Sequence, residues 1–102
     1  MMDFSLYFPT GFTDSTKDDS VDVRVELADG RTYSLAFFTL TNLETLMARW
    51  GKTGECANGM YVCAKNMIVV QEISRAVIRK VVHDLVKTRE IEAIGWPIRP
   101  SE

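Results

Sequence analysis

Residues 21–40 read VDVRVELADGRTYSLAFFTL and decide the fold of this chain. Apolar and polar side chains alternate on both sides of an Asp-Gly pair, which is the pattern of two β-strands that each bury one face. A two-residue turn would send the two apolar rows to opposite faces of the sheet. A three-residue turn at 28–30 puts both rows on one face and pairs Val25 with Tyr33. We therefore predict the longer turn, with Gly30 in the left-handed region.

The size and composition of the chain indicate one folded domain over residues 1–102, because 46% of the residues are apolar. No apolar run approaches the roughly 20 residues that span a bilayer. The N-terminus lacks the basic start of a signal peptide, so we expect a cytoplasmic protein without membrane contact. Cys56 and Cys63 are then reduced thiols, and their spacing matches neither a zinc site nor a redox motif. No cofactor and no metal ligand are predicted.

Charge is distributed unevenly along the chain. The first 30 residues hold seven acidic and two basic side chains, although the net charge of the whole chain is −2. This acidic end argues against generic nucleic-acid binding, which usually requires a basic excess. Residues 12–20, FTDSTKDDS, are predicted to be a mobile, solvated acidic loop. The alternative is an acidic arm that docks on a basic partner.

A first strand at residues 3–8 precedes this loop, and a helix follows the hairpin. Thr41 and Glu44 fit a capping box, in which each side chain satisfies a backbone donor of the other residue. Gly51 is the predicted end of the helix. Because the helix is short, we expect its apolar face to pack on the sheet. That face consists of residues at helical spacing: Leu43, Leu46, Met47 and Trp50.

The second half of the chain is predicted to repeat the order of hairpin and helix. Residues 60–64 and 67–71 are apolar and rich in β-formers, and Lys65-Asn66 between them predicts a second hairpin turn. Ser74 is the predicted cap of the main helix. That helix, residues 75–88, has a core stripe formed by Ile78, Val81, Val82, Leu85 and Val86.

The end of the chain is less regular. Residues 89–96 fit either a last helical turn or a short edge strand, and residues 97–102 are predicted to be a C-terminal tail. Taken together, the elements predict an α+β fold in a single domain. It has an antiparallel sheet of about five strands in β-ββα-ββα order, with two main helices packed on one face. The order of elements resembles that of small bacterial or phage-borne accessory proteins, a likeness of shape that implies no site residues.

One helical layer covers one face of a sheet, yet apolar residues occur where both faces would be. The run Met67–Val70 does not alternate, and Phe38 directly follows Phe37. A second chain would bury the apolar groups that the helices leave uncovered. The predicted partner surface is therefore Phe38, Met67 and Val69.

The main helix also carries a basic stripe on its other face. Most such stripes are solvated helix surfaces, and the alternatives are an acidic protein partner or a phosphate backbone. His83 lies among these cations without an orienting acid, so we expect a surface histidine and no catalytic residue. The predicted polyanion-binding residues are Arg75, Arg79, Lys80 and Lys87.

These patterns lead to two functional hypotheses. The first is a small non-enzymatic protein-interaction module that acts as a homodimer or complex subunit. The alternative is a nucleic-acid-binding accessory protein that uses the basic stripe of the main helix.

Overall fold

The computed structural model describes residues 2–14 and 16–98, which form one sheet and four helical segments. The elements in chain order are β1 (Phe4–Tyr7), β2 (Ser20–Leu27), β3 (Thr32–Thr39), α1 (Leu40–Thr53), α2 (Glu55–Gly59), β4 (Met67–Val70), α3 (Arg75–Lys87), α4 (Ile91–Ile94) and β5 (Trp96–Ile98). Four strands lie side by side in the order β1-β2-β3-β4, and β5 pairs with β3 beside β4. The predicted α+β class and the five-stranded sheet are thereby confirmed.

The β2–β3 hairpin has the predicted register. Val25 lies opposite Tyr33 in an antiparallel pair. The N–H of Gly30 donates to the carbonyl of Leu27 at 2.9 Å, and Gly30 has a φ of 93°. The three-residue turn and its left-handed glycine are therefore confirmed.

The direction of β4 differs from the expectation. β4 runs parallel to β3, with Phe38 opposite Val69, while the other three strand pairs are antiparallel. The second hairpin was wrongly predicted, because residues 60–64 form no strand and Lys65-Asn66 joins no two strands. α1 and α2 carry the chain across between β3 and β4, and such a crossover makes the two strands parallel. The order is therefore βββααβααβ rather than β-ββα-ββα.

The hydrophobic core lies between the sheet and α3. Ser74 caps α3 as predicted, since its Oγ accepts a hydrogen bond from the N–H of Val77 at 3.1 Å. The fully buried core side chains include Val23, Val25, Leu35, Phe37, Ile73, Ile78, Val82 and Ile91. Burying one large apolar side chain of this kind stabilises the fold by roughly 1.5–3 kcal/mol.

α1 does not pack on this core, which corrects the expectation that two main helices cover one face. None of its residues is buried, and none belongs to the core or to the side chains packed against it. The helix starts at Leu40, because Thr39, rather than Thr41, accepts a hydrogen bond from the N–H of Asn42 at 3.1 Å. It ends at Thr53, beyond the predicted Gly51, where Gly54 adopts a φ of 91°. Of the two long helices, only α3 covers the core face of the sheet, and the short α4 adds Ile91 to the core.

α2 is a single turn that folds back on α1. Three of its residues, Cys56, Ala57 and Asn58, have left-handed φ values of 48°, 52° and 60°. Such a conformation costs non-glycine residues roughly 1–2 kcal/mol each. Close packing accompanies it, because a Cβ at Gly59 would overlap the carbonyl oxygen of Met47. α1 and α2 together form a helical arm whose apolar residues lie outside the core.

The acidic loop is attached to the first turns of both long helices. Asp14 accepts a hydrogen bond from the N–H of Arg75 at 2.8 Å. Asp18 accepts hydrogen bonds from Asn42 at 3.3 Å and Thr45 at 3.2 Å. A carboxylate is stabilised near the N-terminus of a helix, because the unpaired N–H groups there carry a partial positive charge. The mobility of residues 12–20 stays a prediction.

Residues 89–96 were predicted to form either a last helical turn or a short edge strand, and the structure contains one of each. Residues 91–94 form the helical turn α4, and β5 then pairs antiparallel with β3. Pro97 and Ile98 of the expected tail belong to β5, while residues 99–102 lie outside the described residues.

We expect Gly30→Ala to lower the free energy of unfolding by about 1 kcal/mol, because alanine is strained at positive φ. No atom lies within 4 Å of the added Cβ, so the cost is conformational rather than steric. Gly51→Ala is the control. It places alanine inside α1, where helix propensity favours it by up to about 1 kcal/mol. Urea denaturation of both variants measures these effects, and a neutral Gly30→Ala result would contradict the left-handed turn.

Candidate functional site

The predicted partner residues lie together on the sheet face opposite the core. Phe38 is opposite Val69 in the β3–β4 register, and Met67 is opposite Ala36 on the same face. Val69 is 46% exposed, while Phe38 and Met67 are half-buried. We call Phe38, Met67 and Val69 the apolar patch. The parallel register brings the three side chains together.

β5 extends the apolar patch along the same face. Trp96 pairs with Ser34 and Ile98 pairs with Thr32, which places both side chains on the face of Phe38. They are 51% and 37% exposed, and the ammonium of Lys65 lies 4.7 Å from the centroid of the Trp96 ring. Sequence reasoning missed these two residues. The available signal was the placement of two apolar residues, Trp96 and Ile98, on either side of Pro97, which is the alternation of a short strand.

The other half of this face is polar. Tyr7 donates a hydrogen bond to Glu26 at 3.4 Å, and the guanidinium of Arg24 lies 4.6 Å from the centroid of the Tyr7 ring. These side chains belong to β1 and β2, at the edge far from β4. The face is therefore divided into a charged half and an apolar half.

The helical arm and the segment after it expose further apolar side chains, and one of them, Met47, was predicted to pack on the sheet. Leu40 precedes the apolar stripe of α1, and its exposure shows that the arm starts outside the core. No described residue covers these side chains enough to bury them. They are Leu40, Met47, Met60 and Tyr61, with exposed fractions of 61%, 36%, 77% and 52%.

The basic stripe is divided between two environments. The guanidinium of Arg75 lies 5.3 Å and 4.8 Å from the ring centroids of Phe8 and Phe12, and 3.9 Å from the carboxylate of Asp14. Arg79 lies 6.0 Å from the ring centroid of Phe4. Both arginines therefore contact aromatic rings of the N-terminal segment rather than extending freely into solvent.

Lys80 and Lys87 form the solvent-facing part of the stripe. They are seven residues apart, so they lie on the same side of α3. His83 is exposed between them, as predicted for a surface histidine. Within the described residues neither lysine forms an ion pair, so both charges are available to a ligand.

Four charged side chains join the hairpin turn to α4. Arg31 lies 2.7 Å from Asp29 and 2.9 Å from Glu92, and Arg89 lies 2.8 Å from Glu92. Hydrogen bonds from Arg89 and Arg31 hold the pKa of Glu92 below its ordinary value. The backbone N–H of Arg31 has the same effect on the pKa of Asp29. Because all four groups are exposed, solvent weakens these interactions.

A cavity of about 290 Å³ lies beside this network, lined in part by Leu27, Arg31, Val86, Lys87 and Glu92. Arg31 directs its charge to carboxylates of the network. No base and nucleophile are paired at this position in the geometry that acid–base or nucleophilic catalysis requires. The charged network links the β2–β3 turn to α4.

The residues that the structure describes contain no group of three or more His, Cys, Asp or Glu side chains placed to hold a metal ion. Cys56 is half-buried and Cys63 is exposed, and both are free thiols. None of the described helices is both long and apolar enough to cross a membrane.

Comparisons with known proteins add no assignment. A scan of protein-family models, a search of curated proteins and a search of solved structures each found no match to this chain.

Glu92→Gln tests whether the charged network stabilises the fold. Folding lowers the pKa of Glu92, so its contribution is complete above its ordinary value of 4.5 and is lost as the pH falls through the folded-state pKa. We expect the variant to lose less stability than the wild type between about pH 5 and pH 3. Urea denaturation at each pH measures this, with Glu90→Gln as the control. The same acid sensitivity in both variants would contradict a role for the network.

Proposed function

We propose that the protein is a small non-enzymatic interaction module that acts as a homodimer or complex subunit through the apolar patch. The observation that carries this proposal is the position of Phe38, Met67 and Val69 on the face that α3 leaves open. Removing apolar surface from water is favourable by roughly 25 cal/mol per Å². An uncovered patch beside polar surface is therefore typical of a site where another protein binds.

The size of a stable interface indicates that the apolar patch does not act alone. Such an interface buries about 800 Å² on each partner, which is more than three side chains supply. Trp96 and Ile98 continue the apolar surface on the same face. The enlarged surface places an aromatic side chain at one end, and aromatic residues are frequent among those that contribute most to binding.

Val69→Glu tests this proposal. We expect the wild-type chain to form a dimer in size-exclusion chromatography with light scattering, and Val69→Glu to be a monomer, because the charge would be desolvated at the interface. Tyr7→Glu is the matched control. Tyr7 is 42% exposed, compared with 46% for Val69, and lies on the same face at the far edge of the sheet.

We expect Tyr7→Glu to remain a dimer. A wild-type chain that stays monomeric at high micromolar concentration would contradict the homodimer. Equal weakening by both variants would exclude the apolar patch as the contact surface.

Nucleic-acid binding through α3 is the second candidate function. Lys80 and Lys87 support it, because both are exposed on one side of the helix. The ion pair between Arg75 and Asp14 reduces the charge available to a phosphate backbone. If this function is correct, Lys80→Glu with Lys87→Glu should weaken binding to a DNA or RNA duplex, and the wild-type affinity should fall steeply with salt. No binding at low ionic strength would contradict it.

A further inference from the structure

β4 is an edge strand with unpaired backbone groups. Its only strand neighbour among the described residues is β3. The N–H of Ala36 donates to the carbonyl of Asn66 at 2.9 Å, which sets the alternation of the parallel ladder. Asn66, Ile68 and Val70 therefore direct their backbone groups toward β3. The N–H and C=O groups of Met67 and Val69 point to the free edge.

β4 is only four residues long, but its edge lacks the charges, prolines and bulges that commonly protect edge strands. Natural proteins place charged residues, prolines or bulges in such strands, because unpaired backbone groups attract other strands. β4 reads MIVV and contains none of them. By contrast, β5 lies on the same side of β3 and contains Pro97. The unprotected edge is thus confined to Met67–Val70.

We propose that a second copy of this chain pairs with β4 in antiparallel orientation and extends the sheet across a two-fold axis. This inference rests on the proposed homodimer and specifies how its two chains meet. In this pairing Met67 of one copy lies opposite Val69 of the other, with Ile68 on the axis. Each outward N–H then meets an outward C=O, so the two chains form four hydrogen bonds and leave none of these groups unpaired.

Charge at the ends of β4 favours the antiparallel orientation. Lys65 precedes the strand and Glu72 follows it. An antiparallel copy brings the lysine end of one strand to the glutamate end of the other, whereas a parallel copy would bring like charges together. Complementary charge of this kind selects the orientation of an interface.

The surfaces on both sides of the edge fit the same arrangement. Residues that lie opposite each other in paired strands share a face, so the axis is perpendicular to the sheet. The apolar patch of one copy then continues into that of the other. On the α3 side, a groove of about 640 Å³ opens beside β4, where Val70, Val77 and Val81 line it together with Lys17, Gln71 and Glu72. The three valines offer apolar surface to the side chains of the added strand.

Amide hydrogen exchange of the wild-type chain tests the pairing directly. In the dimer we expect slow exchange at Met67 and Val69, and fast exchange at both after dilution to the monomer. Ile68 and Val70 are the internal reference, because their bonds to β3 protect them at both concentrations. A dimer in which Met67 and Val69 exchange freely would overturn edge pairing and leave the homodimer through the apolar patch intact.

Val69→Pro and Val69→Thr separate backbone from side-chain effects. Proline removes the outward N–H but is tolerated where that N–H does not bond within the chain. By symmetry two hydrogen bonds are lost, so we expect dimerisation to weaken by about ten- to a hundredfold. Threonine keeps both the N–H and the branched shape, and should dimerise within a few-fold of the wild type. Circular dichroism verifies that Val69→Pro is folded.

Each outcome of these experiments is decisive. A folded Val69→Pro that dimerises as tightly as Val69→Thr overturns edge pairing. A wild-type monomer at every concentration overturns both edge pairing and the proposed homodimer. If Val69→Pro does not fold, exchange at Met67 and Val69 in the wild-type chain decides the question alone.

Discussion

The rest of the structure depends on a constraint within the β2–β3 hairpin, namely that both of its apolar rows must lie on one face. Successive side chains of a strand point to opposite faces, so a shift of one residue would expose one row. The turn at 28–30 satisfies this constraint and creates the face on which α3 packs. It also sets the direction in which β3 leaves the turn, and therefore the end of the sheet at which α1 begins.

The crossover after β3 determines which surface is left for a partner. Because α1 and α2 form an arm outside the core, α3 is the one long helix that covers the core face of the sheet. The crossover also makes β4 parallel to β3, which sets Phe38 beside Val69 and leaves β4 at an edge. The apolar patch and the unpaired backbone edge are thus two consequences of one connection. Both support association through the same part of the molecule.

The acidic N-terminal third has a role that its composition alone did not indicate. Asp14 and Asp18 bind at the first turns of α3 and α1, so part of the negative charge is opposed by helix N-termini. The contact between Asp14 and Arg75 brings the acidic end and the basic stripe together within one chain. This pairing leaves Lys80 and Lys87 as the more available cations of α3.

The candidate site was predicted in part. Phe38, Met67 and Val69 were identified from an unbroken apolar run, because a run without alternation leaves apolar groups on both faces of a strand. Trp96 and Ile98 were missed, since a three-residue strand containing proline has little local signal. The exposure of Met47 in the arm was missed because helical spacing usually indicates packing against a core.

The sequence by itself determined the features that depend on neighbouring residues. These include the register of the β2–β3 hairpin, the left-handed Gly30 and the Ser74 cap of α3. Only the tertiary structure decided the direction of β4, the position of α1 outside the core and the pairing of β5 with β3. The physical reason is that periodicity and capping act over a few residues. The direction of a strand depends on how the intervening chain packs, and that is a property of contacts between distant segments.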